Sequence, residues 1–232
     1  MKNILLIGGS YGIGFALAKT LQNTNNVYIA SRSNEGLSGL NVTHIPFDAS
    51  TDTLDTSNLP EVIDGLVYLP GSINLRPFKG LKIEAFENDL QINFISLVKV
   101  IQTVLPNLTA SNQSSIVLFS SVAASMGMPF HTSVAASKGA IEGFAKALAA
   151  EYAPKIRVNV IAPSLTDTPL ADKFLNNDVK KEKSSERHPL KRFGQPEDIA
   201  QMANFLLNDN SSWMSGQILH VDGGMSTLLV NG

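Results

Sequence analysis

Ile4-Leu5-Leu6-Ile7-Gly8-Gly9-Ser10-Tyr11-Gly12-Ile13-Gly14 decides the fold. Four consecutive apolar residues predict a strand buried on both faces, and the glycines after it predict a tight turn. Phe15, Leu17, Ala18 and Leu21 then recur at helical spacing. A glycine turn between a strand and a helix lets the backbone come close to a pyrophosphate at the helix N-terminus. A bare structural turn is the competing reading. The strand–turn–helix context at the start of the chain favours the ligand-binding one.

Outward from that stretch, strands and helices alternate to the end of the chain, without repeats or linkers. Val27–Ala30, Val42–Phe47, Gly65–Leu69, Ile116–Phe119, Val158–Ile161 and Gln217–Val221 read as six further strands. Residues 33–41 are rich in Ser, Asn and Gly and predict little helix. The next connection offers Leu54, Leu59 and Val62 to the core. Phe86, Leu90, Phe94, Leu97 and Ile101 predict a long helix over Ile83–Leu105, closed by Pro106. A second helix spans about Val134–Tyr152, with Ala140, Ile141, Phe144, Ala145 and Leu148 on one face. Residues 171–188 are polar, a mobile flap or solvated helix pair, and Pro196 opens a helix through Leu207. Uninterrupted apolar strands between helices predict a single α/β domain over 1–232, with about seven strands in a doubly wound parallel sheet covered on both faces.

The 232 residues carry 18 Lys and Arg against 20 Asp and Glu, a net charge of −2. That balance gives no electrostatic reason to expect nucleic acid or an anionic membrane as partner. The chain has no cysteine, which excludes disulfides, thiolate metal sites and a cysteine nucleophile, and no metal site is expected. No signal peptide and no apolar run of membrane-spanning length is read, so the expected setting is cytoplasmic.

Further motifs stand on this frame: Asp48 after the third strand, Asn93 in the long helix, Ser120-Ser121 after the fifth strand and Ala136-Ser137-Lys138-Gly139-Ala140. Arg157-Val158-Asn159, Ile161-Ala162-Pro163 and Val221-Asp222-Gly223-Gly224 complete the set. With the glycine turn, they make the chain resemble the short-chain dehydrogenase/reductase family over essentially its full length. The resemblance is nearest to the branch containing the 3-oxoacyl-carrier-protein reductases. It implies a nicotinamide cofactor held by Gly8, Ser10, Tyr11, Gly12, Ile13 and Gly14. Further contacts are implied from Ser31, Arg32, Asp48, Ala49, Gly71, Lys138, Pro163 and Thr168. It also implies a homotetramer or homodimer built through the helices at 83–105 and 134–152 and the C-terminal strand.

The second strand ends Ala30-Ser31-Arg32, with a guanidinium where a carboxylate would bind ribose hydroxyls and repel a 2′-phosphate. This favours NADPH over NADH. Similar enzymes combine a serine, a tyrosine thirteen residues on, a lysine four residues later and an asparagine from the long helix. Ser121, Lys138 and Asn93 match, but the tyrosine position falls on Val134, which has no proton to give.

Three readings follow. His131, seven residues before Lys138, stands at the spacing that the enoyl-carrier-protein reductase branch uses for its tyrosine, and histidine serves as a general acid near neutral pH. In the second reading, water or Lys138 donates while Ser121 polarises the carbonyl. In the third, the protein binds NADPH without turnover, as a sensor or structural subunit. The leading expectation is an oxidoreductase that reduces a carbonyl or activated double bond of a small or acyl substrate. Other departures are Ile7 for a usual threonine, Tyr68-Leu69-Pro70-Gly71 for Asn-Asn-Ala-Gly, and Ser164 for glycine after Pro163. Met126–Phe130 and the 171–188 segment are expected to line the substrate pocket.

Overall fold

The computed structural model describes residues 1–230; the last two positions of the expected domain over 1–232 lie outside the described residues. Seven strands form one parallel sheet: β1 (Asn3–Ile7), β2 (Asn26–Ser31), β3 (Thr43–Pro46), β4 (Gly65–Tyr68), β5 (Ser114–Phe119), β6 (Ile156–Pro163) and β7 (Ile218–Val221). Their order is β3-β2-β1-β4-β5-β6-β7. Every pairing is parallel, with Ile7 opposite both Ala30 and Tyr68. The chain therefore winds one way from β1 to β3, then crosses back to lay β4 on the other side of β1. Where the winding reverses, the connections leave the carboxyl ends of β1 and β4 in opposite directions and open a crevice.

The helices are α1 (Gly12–Leu21), α2 (Ile83–Leu90), α3 (Ser96–Ala110), α4 (Val122–Ser125), α5 (Thr132–Tyr152), α6 (Asp172–Leu175), α7 (Asp178–Glu186) and α8 (Pro196–Leu207). On one face, α3 and α5 press Leu97, Val104, Leu108, Ile141 and Ala145 onto Leu5, Leu66, Ile116 and Val158. On the other, α1 and α8 press Leu17, Leu21, Ala203 and Leu206 onto Ile4, Leu6, Val67 and Val117. The strand residues alternate between these two clusters, so an uninterrupted apolar strand is what both faces require. Each such side chain contributes about 1.5–3 kcal/mol when removed from water.

The predicted strands and the Pro196 helix lie within two residues of those observed. Three details differ. Pro106 does not close its helix, which runs to Ala110. The extra turn persists because Leu108 is fully buried and the Asn107 side chain donates to the Pro60 carbonyl at 2.8 Å. Val62 is exposed, and its neighbour Ile63 enters the core instead. The run Ile83–Ala110 is long and apolar enough, by length and composition, to cross a membrane, contrary to the reading from sequence. Its apolar stripe is spent on the sheet: Leu97, Val100, Ile101, Val104 and Leu108 are all buried. Between α2 and α3 that run widens into a π turn at Gln91–Ile95, which holds Asn93.

Candidate functional site

The crevice at the carboxyl edge of the sheet is a cavity of about 360 Å³. All the residues expected to contact a nucleotide line it: Gly8, Ser10, Tyr11, Gly12, Ile13 and Gly14 from the first turn, Ser31 and Arg32 from the end of β2, and Asp48 and Ala49 after β3. Gly71, Lys138, Pro163 and Thr168 complete that wall.

The first turn is backbone-built. Gly8 and Gly12 sit at φ +77° and +57°, where side chains are strained. A β-carbon on Gly14 would lie 2.3 Å from the Gly8 carbonyl oxygen, and one on Gly12 would press on Thr168. Pro70 rests over the turn, since a β-carbon on Gly8 would meet its ring at 3.3 Å. The short turn at Glu35–Leu37 tucks in behind, with Gly36 close against the Ser10 carbonyl. The result is a narrow cradle shaped by glycines at a helix N-terminus, the shape a pyrophosphate needs. The residues present fit a dinucleotide.

At the far end of the cavity, Arg32 is exposed and makes no ion pair among the described residues. The Ser31 hydroxyl is already engaged: it donates to the Ser33 carbonyl at 2.8 Å and lies 3.1 Å from His44 Nε2. Asp48 both lines the cavity and forms a turn, its carboxylate accepting from the Ser50 amide.

At the other end, Ser121 and Lys138 face the same space, with Val134 one helical turn before Lys138. Ser121 caps α4, its Oγ accepting from the Ala123 amide at 3.2 Å, and its hydroxyl hydrogen has no acceptor among the described residues. Lys138 Nζ donates to the Phe119 carbonyl at 2.9 Å. Burial pulls its pKa down to about 8, against the pull of the Asp89 charge.

Asn93 does not line the cavity but lies under it, fully buried in the π turn. Its Nδ2 donates to the Asp89 carbonyl at 2.8 Å and to Ser72 Oγ at 2.9 Å. A β-carbon on Gly71 would sit 3.1 Å from Asn93 Oδ1 and 3.4 Å from Lys138 Nζ, so these two groups converge behind that glycine. Asp89, also fully buried, accepts from Ser72 Oγ at 2.5 Å and from Asn74 Nδ2 at 2.7 Å. Its Oδ2 has no partner among the described residues.

His131 does not reach the cavity. It precedes α5, with Nδ1 held 2.7 Å from the Pro129 carbonyl. Met126–Phe130 do not line the cavity either, and of residues 171–188 only Ala171 does; the apolar wall is Ile73, Ile92, Leu165 and Leu170. The turn before α5 carries Met126–Phe130 outward, where Phe130 is 54% exposed. The 171–188 segment forms the helix pair α6 and α7, docked by Leu175 and by Lys173 Nζ on the Ile73 carbonyl at 2.8 Å. Tyr68 is buried and donates to the Ile92 carbonyl at 2.8 Å, so it stays in the sheet interior. Arg157 and Asn159 serve the fold, bonding carbonyls of the α8–β7 connection such as Ser211 and Met214.

A residue that the sequence reading did not connect to the site is His188, 3% exposed, whose Nε2 lies 2.8 Å from Ser164 Oγ. Ser164 lines the cavity. The signal available in the sequence was Ser164 itself, which the family resemblance marks as standing in place of an expected glycine.

A seven-stranded parallel sheet in this order, with a glycine cradle and a serine and lysine on one crevice, defines a dinucleotide-binding oxidoreductase. The chain belongs to the short-chain dehydrogenase/reductase family: the family model described as "Enoyl-(Acyl carrier protein) reductase" matches residues 8–226. It is similar to the 3-oxoacyl-[acyl-carrier-protein] reductase of Chlamydia trachomatis, 33% identical over 97% of each chain. Among solved structures it is similar to ligand-free Thermoplasma acidophilum aldohexose dehydrogenase, with a TM-score of 0.90 at 26% identity over 100% of this chain and 96% of that one. It is similar too to the structure "ElxO with NADP Bound", TM-score 0.88 at 25% identity over 98% and 99% of the two chains.

Proposed function

We propose that this protein is an NADPH-dependent reductase of a carbonyl or an activated carbon–carbon double bond on a small or acyl substrate. The observation that carries the reading is that Ser121 and Lys138 open onto the same cavity as the glycine cradle. The Chlamydia relative reduces a 3-oxoacyl group on acyl-carrier protein and the ElxO structure holds NADP, which supports that substrate class and cofactor. NADPH, when bound, supplies hydride.

This chain's own groups do the rest. The glycine turn holds the pyrophosphate on backbone amides, and Arg32 takes the 2′-phosphate. The free Ser121 hydroxyl donates to the substrate oxygen, and the Lys138 ammonium, fixed on the Phe119 carbonyl, adds positive charge where negative charge develops. Val134 holds the position that gives a tyrosine proton in similar enzymes, so the proton comes from another group on the wall. The α6–α7 pair is the substrate flap, and two or four copies assemble through the helices at 83–105 and 134–152 and the C-terminal strand. Light scattering checks that assembly.

The test is NADPH oxidation over 3-oxoacyl, enoyl, ketone and quinone substrates, with wild type and Val134→Tyr side by side. Turnover by wild type is the expected result. Turnover by Val134→Tyr alone assigns the natural protein to a sensor or structural role on a competent scaffold. Tight NADPH binding with no turnover by either overturns the reductase reading.

A further inference from the structure

We propose that Ser164 and His188 form a proton relay that serves the reacting oxygen of the substrate. The inference rests on the reductase reading and supplies the proton source that Val134 does not.

Ser164 follows β6 directly and lines the cavity at the carboxyl edge of the sheet, as Ser121 and Lys138 do. His188, just beyond α7, is 3% exposed and sits behind it. Gly223 packs against the ring, where an added β-carbon would lie 3.7 Å from His188 Cδ2. Among the described residues no charged side chain bonds the ring; its partners are Ser164 Oγ at 2.8 Å from Nε2 and the Ser184 carbonyl at 2.6 Å from Nδ1.

Those two partners fix where the hydrogens are. A carbonyl oxygen only accepts, so Nδ1 carries a hydrogen in either charge state. In the neutral ring Nε2 has none, the Ser164 hydroxyl donates to it, and Oγ keeps lone pairs that can accept from a group in the cavity. In the imidazolium both nitrogens donate, and the Ser164 hydrogen is released to turn into the cavity. The pair therefore has one state that accepts a proton from a cavity group and one that gives it.

The balance closes. When hydride reaches the carbonyl carbon, the π pair moves onto oxygen. That oxygen takes the hydrogen of Ser164 Oγ, and Oγ takes the hydrogen of Nε2. The imidazolium becomes a neutral ring, with Nδ1–H still on the Ser184 carbonyl. Run backwards with an alcohol and NADP⁺, the same pair removes the hydroxyl proton. His188, reached through Ser164, is a positioning and supply residue; Ser164 is the group that meets the substrate.

The test uses the full chain with Ser164→Ala, Ser164→Thr and His188→Gln. In wild type without cofactor, nitrogen NMR of the His188 ring, assigned by its loss in His188→Gln, should show a neutral form protonated at Nδ1. Its Nε2 should be a hydrogen-bonded acceptor, and the Nε2 resonance should move to that of a free acceptor in Ser164→Ala. Losing a positioned acid typically costs roughly 10²–10⁴-fold, so Ser164→Ala and His188→Gln should lower kcat by at least about 100-fold. NADPH affinity, read by fluorescence, should stay within about two-fold of wild type, and Ser164→Thr should regain most of the rate. A neutral ring protonated at Nε2, or Ser164→Ala at wild-type kcat, overturns the relay alone. So does loss of NADPH affinity that accounts for the loss of rate. Absence of turnover by wild type and Val134→Tyr on every substrate overturns the reductase reading, and the relay falls with it.

Discussion

The two ends of the cavity are built from different materials. The end that cradles the pyrophosphate is backbone: Gly8, Gly12 and Gly14 contribute shape by having no side chain, and Pro70 and Thr168 close against that shape. The reaction end is side chain: Ser121, a local helix cap, with Lys138, Asn93, Ser72, Asp89, Ser164 and His188, each of these six positioned by a partner distant in sequence. A backbone-built end depends on steric permission at a few positions. A side-chain-built end can exchange members while the scaffold stays the same. Against the family pattern read from the sequence, the first end keeps its three glycines but is expected to depart beside them at Ile7 and Leu69-Pro70, and the second is expected to depart at Val134 and Ser164.

The sharpest way to break the comparison is at the backbone end. Gly14→Ala puts a β-carbon 2.3 Å from the Gly8 carbonyl oxygen and 2.8 Å from Gly9 Cα. Both are backbone atoms that cannot swing aside. Overpacking of this kind costs about 3 kcal/mol at the upper end of its usual range, and the turn must open to relieve it. Chemical denaturation should show that loss of stability, and NADPH affinity should fall by roughly 100-fold. Near-normal NADPH binding by Gly14→Ala would mean that the cradle is not the pyrophosphate site.

At the side-chain end the expected effects fall on rate. Lys138→Met should keep the fold, because a buried apolar chain of similar length replaces a lysine whose charge burial already disfavours. It removes charge stabilisation at the reacting oxygen, and kcat/KM should drop by roughly 10²–10³-fold. The pH profile tests the same group. Burial lowers the Lys138 pKa to about 8, so the ammonium that assists reduction is present below that pH and lost above it. Reduction measured as kcat/KM, which reports the free enzyme, should decline above about pH 8. A rate flat to pH 10 would separate Lys138 from the chemistry. The lowered pKa has a stability consequence of the opposite sense. Between about 8 and the ordinary lysine value the unfolded chain binds the extra proton, so stability from this group rises with pH across that window.

What could be read from sequence follows the same division. The glycine turn, the apolar strands and the Pro196 helix were legible because each is a local constraint: a forced conformation, an unbroken apolar run, a fixed φ. Ser121 and Lys138 were legible by their spacing along one helix and the strand before it. His131 has the right spacing to Lys138, but the chain turns before α5 and holds its ring on Pro129. His188 is 24 residues from Ser164 and its neighbourhood reads as a polar flap, so only the fold, which lays the segment after α7 beside the residue after β6, brings the two together. Pro106 misled for a related reason: a local breaker lost to the burial of Leu108. Asp89 carried no legible signal, since one acid among three on an amphipathic helix, with Glu84 and Glu87, normally faces water.

The smallest expected effect lies at Arg32, where the backbone end gives way to a side chain. Arg32 is exposed and unpaired among the described residues, while the Ser31 hydroxyl is committed to Ser33. The guanidinium is therefore the group with donors to spare for a 2′-phosphate. A charge-assisted contact at an exposed position is screened by salt and modest in size. Arg32→Ala should weaken NADPH by about ten-fold and leave NADH unchanged, with stability within about 0.5 kcal/mol of wild type. Raising the salt concentration should narrow the NADPH difference between the two proteins. Equal weakening of NADPH and NADH would show Arg32 stacking on adenine instead, and cofactor choice would then fall to the backbone around Ser31 rather than to the guanidinium.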